Sequence, residues 1–139
     1  MTDFDESPWD DPTQYVDPLS LMDSQRQQRW ALRAMWEAKK ELASARDEEV
    51  EAESAYLSAR RRAFFNAECP VVIRGGVTVA DRDAWVDEQV GDLELKWKLA
   101  KARTQAVKDH MDTLRAQAIL IGGLAKTTQQ IHAQAGVNR

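Results

Sequence analysis

Five alanines recur at seven-residue intervals, Ala31, Ala38, Ala45, Ala52 and Ala59, in a stretch without proline or glycine between Pro18 and Pro70. A strict seven-residue repeat of a small residue marks a helical seam where another helix backbone comes close. Met35, Leu42, Tyr56 and Ala63 form a second row beside it; Glu49 interrupts that row and is read as a solvated charge in a loosely packed layer. The helix is expected to start at Asp23 or Ser24, either of which can cap it, and to run to Asn66. That is roughly 40 residues, or about 60 Å at 1.5 Å per residue. The second half carries a matching apolar seam: Val90, Leu93, Trp97, Ala100, Thr104, Val107, Met111, Leu114, Ala118, Ile121, Ala125 and Thr128. These positions alternate three and four apart, as an amphipathic helix requires. The pattern predicts an all-α chain of two long antiparallel helices, a coiled-coil-like hairpin.

The joint between the helices is expected at residues 67–86, as a short β-hairpin or loop elbow. Pro70 ends the helical pattern, Val71, Val72 and Ile73 suit a strand, and Gly75-Gly76 separates them from Val77–Val79. Two glycines between β-branched runs signal a tight hairpin. Thr78 and Asp81 have the spacing of a capping box, and a short helical turn is expected through Val86. The second long helix is expected from Asp87 to Gln134. Within it, Gly122-Gly123 costs about 1–2 kcal/mol relative to two alanines, so the pair either bends the helix or admits another backbone. Ile119, Leu120, Ile121, Leu124 and Ile131 cover more than one face around it. A subunit contact is therefore expected at Ile119, Leu120, Ile121, Gly122, Gly123, Leu124 and Ile131, because two paired helices bury only one stripe each and gain further burial by homo-oligomerisation.

Charge changes this picture. The net charge of −4 over 139 residues hides −8 in residues 1–56 and +4 in residues 57–139. Residues 1–23 hold three of the four prolines, seven carboxylates and scattered large apolar side chains such as Phe4 and Trp9. They are expected to be a disordered acidic arm, either a solvated tail or an acidic-aromatic peptide that docks into an apolar pocket rimmed by bases. The helical domain then spans 24–136, with a tail at 137–139. One cysteine, Cys69, excludes an internal disulfide and suits a reducing cytoplasm. No signal segment opens the chain, and no apolar run approaches the roughly 18 residues that span a bilayer. His110 and His132 have no zinc spacing with Cys69, neither glycine pair is followed by the Gly-Lys-Ser/Thr of a phosphate loop, and there is no nucleophile elbow. We therefore expect no enzyme activity, no metal and no cofactor.

One cluster does carry chemistry. Arg60-Arg61-Arg62 precedes Phe64-Phe65, and Arg74 follows across the elbow. Arginine binds phosphate oxygens in pairs, and phenylalanine offers bases a stacking surface that tolerates any sequence. The same residues also fit a structural role, with the phenylalanines plugging the hairpin end and the arginines pairing with carboxylates. Lys96, Lys98, Lys101 and Arg103 lie near the start of the second helix, which an antiparallel fold brings to the same pole. In a ring of copies that pole becomes a continuous positive rim for a polyanion.

The order of these features resembles the UvsY-type recombination mediators of tailed phages. The resemblance covers residues 24–136 and rests on Arg60-Arg61-Arg62-Ala63-Phe64-Phe65, the irregular middle Val71–Val86, the helix Val90–Ala135 and its tail Gly123-Leu124-Ala125, Ile131 and Gly136. The acidic, proline-rich arm departs from the family's pattern. The resemblance implies a phage protein in a bacterial cytoplasm that forms rings through its C-terminal helix. It implies binding of single-stranded DNA and help in loading a RecA-like recombinase onto strands coated by single-strand binding protein, with the arginine cluster as the DNA contact. Two other readings stand beside it: a coiled-coil adaptor in phage assembly without nucleic acid, and a regulator acting through its acidic arm.

Overall fold

A computed structural model of the chain describes residues 21–137. Three helices account for most of them: α1 (Leu21–Phe64), α2 (Val79–Gln89) and α3 (Gly91–Val137). α1 begins at Leu21 rather than Asp23, and α3 begins four residues later than the sequence pattern suggested. The expected acidic arm lies, apart from residues 21–23, outside the described residues.

The described residues divide into two packing units. In the unit 41–107, the direction of pairing is explicit. Ala45 of α1 meets Thr104 of α3, Glu48 meets Arg103, and Tyr56 stacks on Trp97. Rising numbers on one helix meet falling numbers on the other, so the pair is antiparallel. The alanine repeat explains how close they come. Ala45 is fully buried, and the Thr104 hydroxyl donates to the Ala45 carbonyl at 3.2 Å as well as facing its own Ala100 carbonyl at 3.1 Å. A side chain as short as threonine reaches the neighbouring backbone only where nothing larger than a methyl group separates the helices. Toward the elbow the seam widens into a core of Tyr56, Ala63, Val86 and Val90, with Ala59, Phe64, Trp85, Leu93 and Trp97 around it.

In the unit formed by residues 21–40 and 108–137, Ser24, Ala31 and Ala38 are the buried row of α1. Leu114, Ile121, Ala125 and Thr128 are the buried row of α3. Across both units every position of the expected α3 seam is buried or half-buried. On α1, four of the five heptad alanines and Ser24 are buried, and Ala59 is half-buried. Glu49 is half-buried in the second row.

The β-hairpin expected in the elbow does not form: no strand occurs among the described residues. Instead, α1 closes with Phe65 N–H on the Arg61 carbonyl and Asn66 N–H on the Ala63 carbonyl, and residues 65–78 run as turns joined by irregular backbone. Gly75 takes φ +78°, a conformation costly to any residue with a Cβ, and sits inside a turn closed by Gly76 N–H on the Ile73 carbonyl at 3.2 Å. One further bond, Ile73 N–H to the Val77 carbonyl, is all the pairing that develops. The second strand has no residues left, because Thr78 is already the N-cap of α2. Its hydroxyl accepts from Asp81 N–H at 3.2 Å, while the Asp81 carboxylate accepts from Thr78 N–H at 2.9 Å. This is the capping box that the sequence suggested. α2 and α3 then meet at the single residue Val90, which is buried. Its N–H closes α2 on the Val86 carbonyl and its own carbonyl accepts the first bond of α3, from Glu94.

Candidate nucleic-acid interface

The basic and aromatic residues singled out at the elbow all lie in the unit 41–107, where they fall into two groups. The first is consumed by internal contacts. Arg60 is half-buried and donates from Nη1 to the Tyr56 hydroxyl at 3.1 Å. That bond, with Asp87 and Asp83 adding attraction, holds its guanidinium above its ordinary, already high, pKa. Phe64 packs against the core with Arg60 5.8 Å and Arg82 5.2 Å from its ring centre. Tyr56 in turn stacks on Trp97 at 5.3 Å, and Lys101 lies 5.8 Å from the Trp97 ring. The result is a continuous ladder from α2 through α1 to α3: Arg82, Phe64, Arg60, Tyr56, Trp97, Lys101. Each cation–aromatic step contributes about 0.5–1 kcal/mol at an exposed site and more where water is excluded. The rest of this group is engaged in solvent-exposed ion pairs. Lys98 pairs with Glu94 at 3.0 Å one turn back, and Arg103 pairs with Glu48 across the helices, which also raises its pKa.

The second group faces solvent. Arg61, Arg62, Arg74 and Lys96 are exposed and make no ion pair among the described residues. Phe65 is 88 % exposed, the most exposed large apolar side chain of the described residues. Two adjacent phenylalanines therefore differ completely: the ring of Phe64 is occupied by arginines, whereas both faces of Phe65 are open. Arg61 and Arg62 also sit in the last turn of α1, where cations offset the negative end of the helix. Val71, Ile73 and Val79, in the elbow and at the start of α2, are exposed as well.

Sequence reasoning missed Arg82. Its only signal was its place one turn into α2, beyond the Thr78–Asp81 cap, where the fold turns it toward Phe64 and Asp83. Trp97 was read only as a seam residue. Its ring fills that role, but its Nε1–H is buried without a hydrogen-bond acceptor among the described residues.

The expected subunit contact divides in the same way. Ile121 is 2 % exposed, packed in the seam. Ile119, Leu120, Leu124 and Ile131 are exposed, Ile119 by 75 %. No atom outside the helix's own backbone comes within 4 Å of where a Cβ on Gly122 or Gly123 would stand, and α3 continues through the pair without interruption. The glycines therefore admit no backbone from the described part of this chain.

No group of three or more potential metal ligands converges among the described residues. No described helix is long and apolar enough to cross a membrane. Compared with protein-family models, with curated proteins and with solved structures, the chain matches none.

Proposed function

We propose that this protein binds single-stranded DNA through the exposed elbow cations and Phe65, and acts as a phage-type recombination mediator. The observation that carries the reading is the bare Phe65 ring close in the chain to Arg61 and Arg62, whose side chains make no hydrogen bond or ion pair among the described residues. Arginines without a carboxylate partner bind phosphate at no cost in lost ion pairs, and an open phenyl face stacks on any base. In this reading the ladder beneath is scaffold: it locks the helix ends so that the second group is presented rigidly. Copies assemble through Ile119, Leu120, Leu124 and Ile131 across the bare glycine pair, and the assembly multiplies the cationic elbow. The help given to a RecA-like recombinase on strands coated by single-strand binding protein follows from the UvsY-type pattern, as do the phage origin and bacterial cytoplasm.

The test is binding of a labelled oligo-dT as a function of salt. Binding to single strands loses affinity with a log–log slope of about 0.7 per phosphate neutralised. Arg61→Ala with Arg62→Ala is expected to reduce that slope by about 1.4. Phe65→Ala is expected to weaken binding by about 1–3 kcal/mol at any salt, the worth of one stacked base. Affinity unchanged in both variants refutes the elbow as the DNA site. The adaptor reading draws support from Val71, Ile73 and Val79, which are exposed at the same elbow and suit a protein surface. It predicts no oligonucleotide retention even at low salt.

A further inference from the structure

α1 carries a second cationic surface that the proposed function does not use. Met22, Arg26, Arg29, Arg33, Trp36 and Lys40 follow one another at spacings of four and three, so they share one helical face. All six are exposed, and the buried row Ser24, Ala31 and Ala38 lies on the opposite side. The stripe contains four cations and no carboxylate. Its apolar members are unusually bare: Met22 is 74 % and Trp36 58 % exposed, and Leu32 beside them is 71 % exposed. Lys40 lies 3.6 Å from the centre of the Trp36 ring, with Glu37 flanking it at 3.9 Å.

The chain itself supplies a segment of opposite character. Residues 1–20 hold six carboxylates (Asp3, Asp5, Glu6, Asp10, Asp11 and Asp17), no basic side chain, and the aromatics Phe4, Trp9 and Tyr15. They join α1 at Leu21, one residue before the stripe begins. From Leu21 to Lys40 the helix rises about 28 Å. Twenty residues extend up to about 66 Å, so the segment can double back over the whole stripe with slack. Tethering at that distance gives an effective concentration in the millimolar range, enough to hold weak contacts closed. Sign, apolar character, reach and point of attachment all agree.

We infer that residues 1–20 dock in cis along the Met22–Lys40 stripe of α1, carboxylates against Arg26, Arg29 and Lys40 and aromatic rings against Trp36 and Leu32. The docked segment is an acidic cover that occupies the stripe in place of other polyanions.

Carbodiimide cross-linking of the full chain tests it, because this reagent joins carboxylates to lysines only in contact. An equal mixture of unlabelled and nitrogen-15-labelled protein separates links within a chain from links between chains. Links from Asp or Glu in residues 1–20 are expected at Lys39 and Lys40 at about fivefold the yield seen at any other lysine, within a single isotopic species. They are expected to fall to background in about 1 M salt, where screening reaches only about 3 Å. Arg26→Glu with Arg29→Glu, both exposed and so harmless to the fold, is expected to lower the yield at Lys40 by a similar factor. Inorganic polyphosphate added to the wild-type chain is expected to suppress the same links. A yield spread evenly over all lysines, or links that join the two isotopic species, overturns docking in cis. Links at Lys40 that survive saturating polyphosphate overturn the shared use of the stripe.

Discussion

The buried indole of Trp97 sets two requirements against each other. Its ring stacks on Tyr56 and fills the elbow core, a geometry worth about 0.5–1.5 kcal/mol beyond the area it buries. Its Nε1–H, without an acceptor among the described residues, costs about 1–3 kcal/mol. Trp97→Phe keeps most of the ring and removes the orphaned donor, so urea denaturation is expected to show a change within about 1 kcal/mol, of either sign. Trp97→Ala is expected to cost about 3–5 kcal/mol through the cavity it leaves. A phenylalanine variant as unstable as the alanine variant would mean that the indole N–H has an acceptor after all. Asp81 shows a charge used locally. Accepting the Thr78 N–H and hydroxyl, its carboxylate is held below the usual carboxylate range. A carboxylate whose pKa is lowered on folding adds stability above its unfolded value, and that stability drains away as pH falls through the folded value. Thr78→Ala removes the N-cap and for that reason is expected to lower stability by about 1 kcal/mol at neutral pH; because the Asp81 carboxylate loses its Thr78 hydroxyl bond, the gap between variant and wild type should narrow in an acid titration followed by circular dichroism.

At the scale of the element, the alanine repeat sets how near α1 and α3 stand. Ala45→Leu adds three carbons where the Thr104 hydroxyl now reaches the α1 backbone. It is expected to cost about 1–3 kcal/mol by overpacking, read from a urea midpoint that moves without a change of slope. Ala43→Leu, two residues away and exposed, is the control and should stay within about 0.5 kcal/mol. The elbow turn behaves by a different rule. Gly75→Ala forces a Cβ into the left-handed region and is expected to destabilise by about 1 kcal/mol through backbone conformation, whereas a Cβ at Gly76 would stand 2.7 Å from both Cγ1 and Cδ1 of Ile73 and acts through crowding, which the exposed Ile73 relieves by changing rotamer. Equal losses at the two glycines would show that steric crowding, not backbone conformation, governs the turn.

For the molecule as a whole, assembly and charge decide what the exposed surfaces do. No described residue crowds the Cβ positions of Gly122 and Gly123. Replacing both by alanine is expected to raise the intrinsic stability of α3 by about 1–2 kcal/mol. If a second copy packs against the pair, the same change drives sedimentation toward the monomer, so a gain in thermal stability with a fall in mass is the expected joint result. An unchanged mass would remove the glycine face from the proposed contact. Cationic elbow and cationic α1 stripe differ in what the chain offers them: the stripe begins one residue from an acidic segment, and the elbow's exposed arginines have no carboxylate partner among the described residues.

Periodicity alone determined the long helices and the inward face of each, because a heptad of alanines and a three–four alternation have no other stable burial. Thr78 and Asp81 likewise announced their cap, since a capping box is a local bond between neighbours. Strand formation was not local. Val71-Val72-Ile73 has the composition of a strand, but a strand needs a partner, and the helix cap at Thr78 takes the residues that would have supplied one. Which cations were free was also decided only in three dimensions. Arg60 and Arg61 are adjacent in the chain, yet a rotation of one residue along α1 sends the first to Tyr56 and leaves the second in water. The end of α1 at Phe64 separates Phe64 from Phe65, and rotations of one and two residues along α3 separate Ile121 from Leu120 and Ile119. Composition named the groups able to bind a polyanion; tertiary packing chose among them at the elbow, because a charge or ring packed against its own fold has less to offer a partner.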